Sequence, residues 1–213
     1  MCFNYQVSLL TFGIGTLYSI LLIKLNTKKF KLENKTTGIF LIFISLIQLM
    51  DFFFWIDIKN KLGINKLVTI LGPIINICQP LILYIIKYIY YKPNILTLNN
   101  FNLPIAILNG LYLIYFIKIY IQFLLNDTLT TGVSNNHLKW PWIKYVNPYF
   151  YLILFAINIL YLFNVSYGLL LFFVTYLFLY LSMKYFYYNA GELWCFFGSF
   201  IPVIMYYFSY YHK

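Results

Sequence analysis

Apolar runs of about 20 residues, recurring along the chain with short linkers between them, constrain its fold more than any other feature. Inside a bilayer no water satisfies backbone N–H and C=O groups, so such runs fold as helices that bond to themselves. The pattern predicts an all-α, polytopic integral membrane protein with seven transmembrane helices in one bundle. The spans fall at about 5–24, 37–57, 66–91, 103–125, 146–164, 166–187 and 193–211. With 62% hydrophobic and 9% charged residues in 213, composition agrees, and 1–213 reads as a single membrane domain.

Turn-forming residues refine this division. Gly72, Pro73 and Pro80 interrupt the third run, which predicts a tilted or kinked span. Asn164, Ser166 and Gly168 supply the turn signal between the fifth and sixth. The run Tyr5 to Ile23 lacks a basic leader and a small-residue cleavage site, so it reads as a retained span rather than a signal peptide. No internal repeat is visible.

The net charge of +10 is supplied by lysine alone, since arginine is absent. The lysines lie scattered at span ends instead of in one patch, which argues against nucleic acid and for anionic lipid headgroups. The bilayer is thus the expected partner. Part of the excess of Phe, Tyr, Ile, Asn and Lys is what AT-rich codons supply. The first linker holds Lys24, Lys28, Lys29, Lys31 and Lys35 against Glu33. That bias predicts an external N-terminus and a cytosolic C-terminus. The longest external linker, Asn126 to Tyr145, carries Trp140-Pro141-Trp142 beside Lys139 and Lys144. Indoles flanked by lysine are expected at the headgroup level, with a ligand-gripping lid as the alternative. Asn34-Lys35-Thr36 and Asn126-Asp127-Thr128 are glycosylation sequons.

The costliest residue for such a chain is Asp51, in the apolar second run. Gln48, Asp51 and Trp55 stand at i, i+3 and i+7 and share one helical face, expected to point into the bundle. Asp57, at the outer end, is expected to be solvated. Asn76 and Gln79 lie between Pro73 and Pro80, where prolines free backbone carbonyls. They read either as interhelical glue or as a polar pocket in a broken helix. Lys118, inside the fourth run, either snorkels to the interface or pairs with Asp51. Glu192 precedes the last span, where a carboxylate favours a helix N-terminus. It is also a second candidate partner for that site. Cys78 and Cys195 read as small buried hydrophobes.

Met1-Cys2-Phe3-Asn4 with Ser8, the Lys-rich first linker, and Gln48-Leu49-Met50-Asp51 with Trp55 resemble a family. It is an uncharacterised family of small multi-span membrane proteins from bacteria, large DNA viruses and protists. Its members open with Met-Cys-Phe-Ser or Met-Cys-Trp-Ser and carry Gln-Gln-x-x-Glu-Gly-x-x-Trp in the second span. Here Asn4 replaces Ser, Ile47 the first Gln, Asp51 the Glu and Phe52 the Gly. The resemblance covers about the first quarter of the chain and carries no activity with it. It implies a seven-span protein with the acidic position as its signature. It also implies that Cys2 and Asn4, at the outer end of the first span, approach Asp51.

The residues point away from an enzyme. His137 and His212 fall in a linker and the tail, so no span carries an imidazole base or metal ligand. A paired-aspartate site would need a second deep carboxylate, and a retinal pigment a lysine in the last span. No cofactor or metal motif is present. Two readings follow. One is a small-solute, ion or proton transporter with its polar site at Asp51, Gln48, Trp55, Asn76, Gln79 and Lys118. The other is a structural or partner-binding membrane component whose polar residues lock the bundle.

Overall fold

A computed structural model describes residues 4–91, 102–134, 137–185 and 190–212. Its helices are α1 (Tyr5–Lys24), α2 (Lys31–Ile56), α3 (Ile64–Ile77), α4 (Gln79–Tyr91), α5 (Asn102–Asn126), α6 (Pro148–Leu162), α7 (Val165–Tyr185), α8 (Ala190–Gly198) and α9 (Ile201–Tyr211). Between α5 and α6 lies a short hairpin, β1 (Gly132–Ser134) paired antiparallel with β2 (His137–Lys139). A 3₁₀ turn, Pro141–Tyr145, follows it.

Some helices turn small and polar side chains inward and large apolar ones outward, as a water-soluble bundle does not. Helix α1 buries Ser8, Thr11, Gly15 and Ser19 while exposing Leu9, Leu10, Leu17 and Ile20. Small side chains let α1 approach α2 closely, as membrane helices do in the absence of a hydrophobic drive between them. A Cβ on Gly38 would lie 2.7 Å from the Ser19 carbonyl oxygen, and one on Gly15 2.5 Å from Ser45 Oγ. Helix α5 likewise turns Leu111, Ile114, Ile117 and Ile121 outward.

Among the described residues, five helices are long and apolar enough to cross a bilayer: Tyr5–Lys24, Lys31–Ile56, Leu103–Asn126, Val165–Tyr185 and Leu193–Tyr211. The expected third span is two helices bent by 61°, which add a sixth if they count as one span. The break falls at Cys78, where the nitrogens of Pro73 and Pro80 cannot donate within the helix. Contacts at its two ends show how far this pair reaches. Asn65, in the first turn of α3, donates from its N–H to Asp57 at the C-cap of α2, whereas the Tyr90 ring near the end of α4 faces Lys35 Nζ, in the first turns of α2, at 4.7 Å. The pair therefore runs from one end of α2 to the other.

Two expected boundaries shift. The second helix starts at Lys31, six residues before the apolar run, because Lys31–Thr36 continue it as an amphiphilic extension with Asn34 buried. The run at 146–164 forms only the 15-residue α6, about 22 Å long and too short alone to span. Asn147 starts that helix by accepting from Tyr149 N (3.0 Å) and Phe150 N (3.3 Å), with Pro148 at its first position. The Asn147 N–H in turn donates to Tyr115 OH, halfway along α5.

Packing divides the interior into two apolar clusters. One centres on Phe54, Tyr112, Phe123 and Trp142, and the other on Phe30, Phe40, Phe155 and Tyr167. The broken helix passes between them.

Candidate functional site

Helix α2 brings Gln48, Asp51 and Trp55 to the face the sequence predicts. Asp51 is fully buried, Gln48 is 1% exposed and Trp55 packs against the first cluster. The Thr11 hydroxyl of α1 donates to Gln48 Oε1 at 2.9 Å. Gln48 Nε2 and Trp55 Nε1 are shut off from solvent and meet no acceptor among the described residues. Asn4 is exposed and caps α1 by accepting from Val7 N at 2.9 Å. Cys2 lies outside the described residues, and nothing is described of the Glu192 side chain.

Asn76 and Gln79 have partners. Asn76 accepts from Trp142 Nε1 (3.5 Å) and donates to Cys195 Sγ (3.9 Å). Gln79 Oε1 accepts from Tyr151 OH at 2.6 Å. Two carbonyls flanking the break also receive side-chain donors. Tyr112 OH donates to Ile77 O (3.0 Å) and Asn158 Nδ2 to Pro80 O (2.9 Å), while Asn158 and Asn109 exchange amide bonds. A void of about 20 Å³ beside Gln79 has room for roughly one water. Cys78 and Cys195 are both buried, as expected of small apolar side chains.

Three expectations change. Lys118 stands on the exposed face of α5 among Ile114, Ile117 and Ile121, as snorkelling requires, and not on a buried face with Asp51. Asp57 is not solvated: it is 3% exposed and accepts from Leu62 N and Asn65 N, both at 3.1 Å. Burial pushes its carboxyl pKa up, but backbone N–H groups from Lys61 to Asn65 outweigh that and hold it below 3.8.

The third change concerns the indoles. Trp140 and Trp142 are 3% and 0% exposed, so they do not lie flat on the headgroups. Trp142 fills a notch over Gly72, where even a Cβ would come within 2.2 Å of the ring, and also meets Phe54 and Phe123. Gly72 is eight residues into α3, about 12 Å below its start. Trp140 stacks on Trp142 at 5.5 Å. The segment 127–147 is thus a cap that dips into the bundle. Asn65 ties it down, donating from Nδ2 to Thr131 O (2.9 Å) and accepting from Thr131 N (2.8 Å). Thr69 and Thr131 hydroxyls lie 2.9 Å apart beside them. On the surface Lys144 Nζ meets Asp127 Oδ2 at 2.6 Å.

Sequence reasoning missed Thr11, Asn65, Asn109, Tyr112, Thr131, Tyr151 and Asn158. Asn109 and Asn158 carried the signal used for Asn76, an amide inside an apolar run. The i, i+3, i+7, i+11 spacing of Ser8, Thr11, Gly15 and Ser19 carried another. Among the described residues no group of three His, Cys, Asp or Glu could hold a metal. In comparisons with known proteins, no family model, curated protein or solved structure matches this chain.

Proposed function

We propose that the chain is a seven-pass membrane protein that carries protons or a small polar solute past the Asp51 face of α2, with the cap closing one mouth. One observation carries this reading. Two buried donors on the face that bears Asp51, Gln48 Nε2 and Trp55 Nε1, meet no acceptor among the described residues. Each such group costs about 1–3 kcal/mol when left unmatched. A solute that accepts from both, or a short water chain, would remove that cost and place a proton acceptor beside it. The broken α3–α4 pair is the companion feature, since secondary transporters set their sites beside interrupted helices.

The seven passes count α3–α4 and α8–α9 as one each and complete the short α6 with the cap's 3₁₀ turn. Irregular backbone is tolerated at membrane depth where protein buries it. The lysine-rich first linker orients the N-terminus outside in this reading. The resemblance noted above belongs to the same proposal and adds no chemistry.

The decisive variant is Asp51→Asn, which keeps shape and removes titration. Reconstituted in vesicles loaded with a pH dye, the wild type should dissipate a proton gradient. Asp51→Asn should not, while melting as the wild type does. Undiminished dissipation in the variant removes the proposal. The second reading, a structural bundle, draws support from the paired amides: Gln79 Oε1 is taken up by Tyr151, and Asn109 and Asn158 bond to each other. It expects Asp51→Asn to alter stability alone.

A further inference from the structure

The cap carries a cavity of about 950 Å³ whose lining includes His137, Lys139, Trp140, Asp127 and Lys144 and none of Gln48, Asp51 or Trp55. Its chemistry is that of an anion site. Lys139 and Lys144 bring two ammonium groups, and Asp127, already held by Lys144 at 2.6 Å, cancels one. The Trp140 Nε1 donor is buried with its residue 3% exposed, and it meets no acceptor among the described residues. His137 Nδ1 is buried and unmatched in the same way. Burial holds the imidazole pKa below 6.5, so near neutrality the ring offers a donor rather than a second charge. A phosphodiester monoanion, with one net charge and several acceptor oxygens, is the complement of one surplus ammonium and two N–H donors.

The surroundings select a lipid as the carrier of that group. Val133 and Ile143 line the same cavity and are 44% and 43% exposed, apolar shoulders beside cationic ones. The cap starts at Asn126, the end of apolar α5, where headgroups are expected. We infer that the cavity between the hairpin and the 3₁₀ turn binds the phosphate of an anionic phospholipid. Lys139 and the Trp140 N–H hold the phosphate oxygens, and Val133 and Ile143 touch the lipid backbone.

The test titrates the full chain in detergent with phosphatidylglycerol, phosphatidylcholine or soluble glycerol 3-phosphate, reading bound lipid by native mass spectrometry. Phosphatidylglycerol should bind best. Lys139→Gln should weaken it about fivefold, the worth of one lysine near a membrane surface, and Lys139→Arg should restore it. Trp140→Phe breaks no bond to the described residues, so it should leave thermal stability intact yet lower phosphatidylglycerol affinity several-fold. Unchanged affinity in Lys139→Gln or in Trp140→Phe overturns the site. Equal binding of phosphatidylcholine overturns the charge selectivity, and equal binding of glycerol 3-phosphate overturns the lipid as its source.

Discussion

Asn65 does the work of a strand at a place where no strand could form. Its side-chain amide matches both the N–H and the C=O of Thr131, and so lets an irregular segment sit at depth without orphaned backbone. Asn65→Ala strands both groups, each at roughly 1–3 kcal/mol. Denaturation in mixed micelles should register that loss, whereas Asn126→Ala on the surface should stay within about 0.5 kcal/mol. A loss of surface size for Asn65→Ala would mean that the cap does not depend on the pair. The same region titrates. Asp57 and Asp127 are held below 3.8, Asp127 because Lys144 and the Thr128 N–H outweigh the upward push of burial. Their stabilisation is complete above pH 3.8 and is lost as pH falls through the lowered folded values. Lys144 is raised above 10.5 by its hydrogen bond to Asp127, so its share holds below 10.5 and fades as pH climbs through the folded value. Tryptophan emission should therefore be flat from about pH 7 to 10. It should shift red as pH falls through 6.5, where His137, its Nδ1 buried, must charge, and further below 3.8. A red shift centred near pH 8 would contradict this assignment.

Helix pairs in this molecule are set by what is missing from their faces. The α1–α2 hairpin closes on glycine and small hydroxyl residues, so adding volume there should separate the helices. Gly38→Ala meets the Ser19 carbonyl at 2.7 Å and Ile23 Cγ1 at 2.5 Å, and a backbone atom cannot step aside. It should cost about 1–3 kcal/mol. Gly13, on the same helix as Ser19 but with nothing within 4 Å, is the control: Gly13→Ala should be neutral or stabilise by up to about 1 kcal/mol. Thermal melts of the two variants decide it, and equal effects would mean that close approach is not what holds the hairpin. The five long helices were legible from apolar length, and the kink from Pro73 and Pro80. The Asp51 face was legible from the i, i+3, i+7 spacing of Gln48, Asp51 and Trp55. The partners of the amides were not, because Tyr151 meets Gln79 across 72 residues and Asn158 meets Pro80 across 78, distances that periodicity does not encode. Lys118 shows the converse limit. Its position inside an apolar run fixed its depth but not its side of α5, and rotation of a uniformly apolar helix leaves little signal.

At the scale of the whole chain, the cap is where composition misled. Tryptophan beside lysine fits a headgroup belt, yet Gly72 leaves a notch that an indole fills, and burial there outweighs the interface. This placement also explains how α6 manages with 15 residues: the chain is already inside the bundle when the helix begins, at the level of Tyr115. The topology turns on whether α3–α4 passes through the membrane or turns back. If it passes, three crossings separate the first linker from the cap, and the two lie on opposite faces; a re-entrant pair leaves two crossings and one face. Lys28 and Thr128 are both exposed and serve as reporters. Single cysteines at these positions, in a chain with Cys2, Cys78 and Cys195 replaced, should react with a membrane-impermeant maleimide from opposite sides of sealed vesicles. Tyr90 facing Lys35 while Asn65 N donates to Asp57 leads to that expectation, since it sets the two ends of the bent pair at the two ends of α2. Labelling of both positions from one side would make the pair re-entrant, leave the chain with an even number of passes, and take from the Asp51 face the broken span on which a route through the bundle depends.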